Sequence, residues 1–161
     1  MSKFVDERLE RAVEDAGATL DKRLEKLDQV SHDIKELERH LEGSGIRERI
    51  EFRFDGGTYA VGDPELGKDI GGGAAEETNE LLIWEQVATQ NRWRIMYLKT
   101  RREGCWDEVI PGLFSFEGEP EVVGHRPLIE TPAEVRLRAG EALPDFVAAL
   151  AAAATPRSRL H

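Results

Sequence analysis

The opening 42 residues constrain this chain most, because their apolar side chains recur at helical spacing over an unusual length. Val5, Leu9, Val13, Ala16, Leu20, Leu24, Leu27, Val30, Ile34, Leu37 and Leu41 are separated by steps of three or four, with a mean step of 3.6. That is the stripe of one amphipathic helix. Between Leu27 and Leu41 the steps run 3, 4, 3, 4, which is coiled-coil spacing over two heptads. Over the whole segment the period is that of a nearly straight helix. The other faces carry Glu, Asp, Lys, Arg and Gln, and Gly43 and Gly45 supply the stop signal.

Length turns this helix into a packing problem. Forty residues rising 1.5 Å each reach about 60 Å. The remaining residues form a globule roughly 35 Å across. About 25 Å of apolar stripe then has no cover in its own chain, and leaving it wet is unfavourable at roughly 25 cal/mol per Å². Either the helix breaks and folds back, or another chain covers it. Gly17 is the place for a break, since glycine costs about 1 kcal/mol relative to alanine in a helix interior, and Thr19 would cap a second helix.

The rest of the chain is a soluble α+β pattern. Ile50, Phe52 and Phe54 alternate with Glu51 and Arg53, and Asp55-Gly56-Gly57 reads as a tight turn with Tyr59 and Val61 on the return strand. Residues 62–79, with Gly71, Gly72 and Gly73 in a row, read as a flexible glycine-rich loop. Leu81–Val87 and Arg92–Lys99 read as two strands joined through a turn at Asn91. Thr131-Pro132-Ala133-Glu134 is a helix start, and Val135, Ala139, Leu143, Val147 and Leu150 line one face of the helix that follows. Pro144 is expected to kink that helix or split it into a pair.

The expected architecture is a helical arm over 1–42, an α+β domain over 46–155 with an antiparallel sheet of three to five strands, and a tail over 156–161. Core candidates are Phe52, Phe54, Trp93, Ile95, Tyr97, Val135, Leu143 and Phe146.

Composition narrows the function classes. The net charge is −10, which argues against nonspecific binding to nucleic acid or anionic membranes. No apolar run reaches 18 residues, and the first residues lack the apolar core of a secretory signal, so a cytoplasmic protein without a membrane span is expected. With one cysteine, Cys105, neither an intrachain disulfide nor a cysteine-rich zinc site can form.

The chemical motifs are weak. His32, Glu36 and His40 share a helix face but lack the H-E-x-x-H spacing, so they read as solvated side chains rather than metal ligands. Cys105 follows Arg101 and Arg102, which would lower a thiol pKa, yet no Cys–His signature surrounds it and His125 lies well apart in sequence. Gly67-Lys68 is followed by Asp69 rather than Ser or Thr, which breaks the P-loop pattern. No metal, cofactor or catalytic residue is expected, and an enzyme would need a pocket gathering Cys105, His125 or acidic residues.

Two readings remain. In the first, the chain is a non-enzymatic adaptor or assembly subunit. It oligomerises with itself or docks another protein's helix through Leu20, Leu24, Leu27, Val30, Ile34, Leu37 and Leu41, in coiled-coil or helix-in-groove mode, with flanking charges setting specificity. In the second, it is an accessory single-stranded nucleic-acid-binding protein. Its strand from 92 to 102 would stack bases on aromatic side chains and hold phosphates with Arg92, Arg94, Lys99, Arg101 and Arg102. Against the second stands the alternation itself, which puts Trp93 and Tyr97 on one face and Arg92 and Arg94 on the other, as in an ordinary half-buried strand.

Overall fold

A computed structural model describes residues 3–60, 73–106, 110, 113–116 and 118–154. The chain is α+β. A long helix, α1 (Lys3–Ser44), leads into strands β1 (Ile50–Ala60), β2 (Gly73–Val87), β3 (Arg92–Trp106), β4 (Phe114–Phe116) and β5 (Glu121–Pro127), then a 3-10 turn at Leu128–Glu130, and finally helix α2 (Ala133–Ala154).

The helix α1 runs through Gly17 without a break. The cost of one glycine is small beside a ladder of strong helix formers on either side. Thr19 does not cap a second helix; its hydroxyl donates to the Asp15 carbonyl one turn back, at 2.9 Å. The stop at the other end works as expected. Gly45 has φ +79°, the left-handed conformation that ends helices, while Ser44 Oγ donates to the Leu41 carbonyl at 2.6 Å and Arg47 to that of Glu42 at 3.1 Å.

The sheet is antiparallel, in the order β1-β2-β3, with β4 and β5 sharing the outer edge of β3. The β2–β3 hairpin matches its sequence signal: Val87 pairs with Arg92, and Asn91 takes φ 49° in the turn between them. The segment before it differs from expectation. Asp55-Gly56-Gly57 is no turn; β1 continues straight through it to Ala60, opposite Thr78–Glu80 of β2, with a register shift between Arg53 and Asp55. Neither Gly56 nor Gly57 has a positive φ. The space beside Gly56 is taken instead by side-chain ends: a Cβ there would sit 2.6 Å from Asn79 Oδ1 and 2.7 Å from Arg53 Nε. Accordingly residues 73–79, read from sequence as part of a loop, belong to β2, whose polar stretch is held by strands on both sides. The remainder of the expected loop, 62–72, lies outside the described residues, as does the 156–161 tail.

Both helices cover one sheet face. Ile50 of β1, Leu82 and Trp84 of β2, and Ile95 and Tyr97 of β3 meet Ile34 and Leu41 of α1 and Ala139, Leu143, Phe146 and Leu150 of α2. All eight residues expected in the core are in this cluster or packed against it. Trp84 is fully buried and spends its indole N–H on the Ile46 carbonyl, at 3.0 Å. C-terminally there is one helix, not a pair: α2 passes through Pro144, which is exposed. Gly140 lets α2 approach α1 closely, since a Cβ there would lie 2.8 Å from Val30 Cγ1. The Thr131 hydroxyl donates back to the Leu128 carbonyl at 2.6 Å, closing the 3-10 turn.

On the other face Ile83 and Met96 are buried beneath charged side chains whose stems act as cover. Arg49 bridges Glu51 and Glu85, and His125 Nε2 lies 2.6 Å from Glu85 Oε1.

Candidate interaction surface

Three groups of side chains compete for a functional role: the α1 stripe, the basic side chains of β3, and an ionic cluster around the buried Glu80 under α2. They differ in how far their chemistry is already spent inside the chain.

The stripe divides at Lys26. Every residue from Asp6 to Lys26 is solvent-exposed, while Leu27, Val30 and Leu37 are half-buried and Ile34 and Leu41 are buried. Val30, Ile34, Leu37 and Leu41, expected to face a partner, therefore pack into their own core. The reason is α2: it crosses α1 at Gly140 and Val30, and Arg136 reaches Ser31 Oγ at 2.8 Å. Of the seven expected interface residues only Leu20 and Leu24 remain fully exposed, at 56% and 49%. Leu9 and Val13, at 60% and 64%, continue their row toward the N-terminus.

A free helical segment of 21 residues results, from Asp6 to Lys26, about 31 Å long. Its apolar row is Leu9, Val13, Ala16, Leu20 and Leu24. Its charge is uneven. Residues 6–15 hold five carboxylates against two arginines, net −3; residues 16–26 hold Asp21 and Glu25 against Lys22, Arg23 and Lys26, net +1. At its base a surface ion pair joins Lys26 to Glu141 at 3.6 Å.

Arg92, Arg94 and Arg101 of β3 are paired with carboxylates of the chain itself. Glu38, 6% exposed, accepts from Arg92 and Arg94 through Oε1, each at 3.1 Å. Arg92 also lies 3.5 Å from Glu42. Arg101 is within ion-pair distance of Glu76, Glu103 and Glu121, and Arg102 stacks over the Phe116 ring at 4.5 Å. Lys99 contributes to the field that holds Glu80 ionised. Trp93 and Tyr97, the rings that would stack bases, lie on the core side. A cavity of about 210 Å³ lies beside Glu38, lined by Ile34, Lys35, Arg39, Arg92, Arg94 and Ile129, and its charged groups include the same paired set.

The ionic cluster around Glu80 was not evident from sequence. Arg138 of α2 donates to both oxygens of Glu80, at 2.8 and 3.0 Å, and to Asp55 at 2.9 Å; the Tyr97 hydroxyl donates to Glu80 Oε2. Burial pushes the Glu80 carboxyl up, but the hydrogen bonds from Arg138 and Tyr97 outweigh it and hold the carboxyl below its ordinary 4.5. Burial, followed by the bond to Glu80, pushes the Tyr97 phenol well above its ordinary 10. These groups satisfy one another and tie α2 to three strands. The signal for Glu80 was present: it alternates with Leu82 and Trp84 and so shares their core face.

Cys105 and His125 are not brought together. His125 is opposite Leu98 on β3, seven residues before Cys105 on the same strand, which is about 23 Å of strand. His32 and His40 are exposed, and Glu36 pairs with Arg39.

No family model matches the chain, and neither curated proteins nor solved structures show a significant similarity to it. Among the described residues no helix is long and apolar enough to cross a membrane.

Proposed function

We propose that this protein is a non-enzymatic assembly subunit or adaptor that associates with another helix through the free half of α1. One observation carries the reading: a helix anchored by Ile34 and Leu41 in its own core extends 21 residues further with Leu9, Val13, Leu20 and Leu24 in water. Most helix stability in proteins comes from packing of an amphipathic face rather than from propensity, and an exposed apolar row rimmed by charge is what helix-in-groove and coiled-coil partners cover. The anchored half gives the free half a fixed direction and a preformed first turn, which lowers the ordering cost of association.

The test is sedimentation of the full chain beside a Val13→Asp, Leu20→Asp variant. The wild type is expected to exceed the monomer mass. The variant is expected to be monomeric and still folded because neither side chain touches the core, its unfolding midpoint falling only by the stabilisation that association gives the wild type. A wild type that stays monomeric at high concentration, or a variant that keeps the larger mass, sinks the reading.

A further inference from the structure

We propose that the occupant of the free half of α1 is the same segment of a second copy, packed antiparallel about a twofold axis between residues 16 and 17. This rests on the assembly reading above and adds to it the partner and its direction.

The first argument is steric. The exposed row continues the face that, from Leu27 onward, is covered by α2 and the sheet. A parallel partner in register would carry its own residues 27–44 onto that face, where Ile34 and Leu41 are already buried, and the two globular parts would claim one volume. An antiparallel partner avoids this. Its Leu27 falls level with Asp6 of the first copy and its Val30, where α2 docks, with Lys3, so each globular part lies at the far end of the other's helix, alongside its first turn at most.

The second argument is the symmetry of the row. Reversed about the point between residues 16 and 17, Leu9 opposes Leu24, Val13 opposes Leu20, and Ala16 opposes Gly17. Aliphatic side chains meet aliphatic side chains along the whole free segment. The smallest residues meet at the axis, where interaxial distance is set by the side chains in contact. A Cβ at Gly17 would meet nothing within 4 Å in its own chain, so packing within the chain places no demand on that glycine.

The third argument is charge. Parallel pairing sets the −3 half against its own copy; antiparallel pairing sets it against the +1 half. The difference is modest and screened by salt, but it has the same sign as the steric preference.

Cross-linking separates the alternatives. In a Cys105→Ser background, Leu9→Cys and Leu24→Cys chains are prepared separately, one carrying a mass tag, and oxidised alone and mixed. Antiparallel packing puts residue 9 against residue 24 of the partner and holds the two residues 9 about 22 Å apart, beyond the roughly 7 Å Cα limit for a disulfide. The expected result is a mixed 9–24 dimer and slow self-linking of either chain alone. Rapid self-linking of the Leu9→Cys chain overturns the orientation. If the mass of such a dimer is still lost in the Val13→Asp, Leu20→Asp variant, the assembly reading stands without it. A wild type that sediments as a monomer overturns both.

Discussion

The Glu38 carboxylate accepts the backbone N–H of Ile95 at 3.2 Å, so a helix side chain completes the edge of a sheet. The last pair between β5 and β3 is Pro127 with Met96; beyond it the chain turns into the 3-10 segment, and Ile95 has no strand beside it on that edge. Glu38 takes the place of the missing strand. Its other oxygen collects Arg92 and Arg94, which neutralises a carboxylate that would otherwise be costly to bury. The same contact fixes α1 against β3 and thus sets where the free half of α1 points.

Replacing Glu38 tests this. Glu38→Ala leaves a buried backbone donor and the largely buried Arg94 without their acceptor, and is expected to destabilise the fold by about 2–4 kcal/mol in urea titration. Arg92→Ala should remove less than about 1 kcal/mol, because Arg92 is 45% exposed and water replaces its partner. Equal effects from the two substitutions would show that Glu38 does not act as an edge cap.

The acid limb of stability should report on Glu80. Its folded carboxyl titrates below the ordinary value, so on acidification the unfolded chain takes up the proton first. The contribution is full above about pH 4.5 and fades as pH falls through the folded value. Arg138→Leu removes the larger partner and leaves burial opposed only by the Tyr97 hydrogen bond and Lys99, so the folded pKa rises from its wild-type position and the acid-dependent contribution shrinks. The variant should be less stable near neutral pH, and its deficit against the wild type should narrow on moving toward pH 4, read as the urea midpoint against pH. A variant curve parallel to that of the wild type would remove Glu80 from the acid limb.

Much of the fold was legible in the sequence because it depends on periodicity. The α1 stripe, the β2–β3 hairpin with Asn91 in its turn, and the core face of Phe52, Phe54, Trp93, Ile95 and Tyr97 all follow from spacing. What failed depended on what lies across from a residue. Asp55-Gly56-Gly57 has turn composition, yet a long partner strand holds it extended. The heptad run from Leu27 to Leu41 has coiled-coil spacing, yet α2 covers it, and the less regular row from Leu9 to Leu24 is the part left free. Glu38 sits four residues after Ile34 and three before Leu41, a core-facing acid, and that was the readable sign that its own domain covers this part of the helix. The exposed row itself was in the sequence; which half was free depended on where α2 docks.

Gly140 carries the docking of α2 on α1. An added methyl group would lie 2.8 and 3.0 Å from the two γ carbons of Val30, and a β-branched side chain in a helix has one favoured rotamer, so it cannot swing away. Against this, alanine gains about 1 kcal/mol of helix propensity over glycine. The clash is expected to win: Gly140→Ala should lower the urea midpoint by the equivalent of about 1–2 kcal/mol. Val30→Ala alone should also destabilise, by removing γ carbons from the packed interface. Combined with Gly140→Ala it opens the space the new methyl needs, so the double variant should be more stable than the sum of the two single losses implies. Strict additivity would show that the helices do not meet at this pair, and that something other than Gly140 sets where the free half of α1 begins.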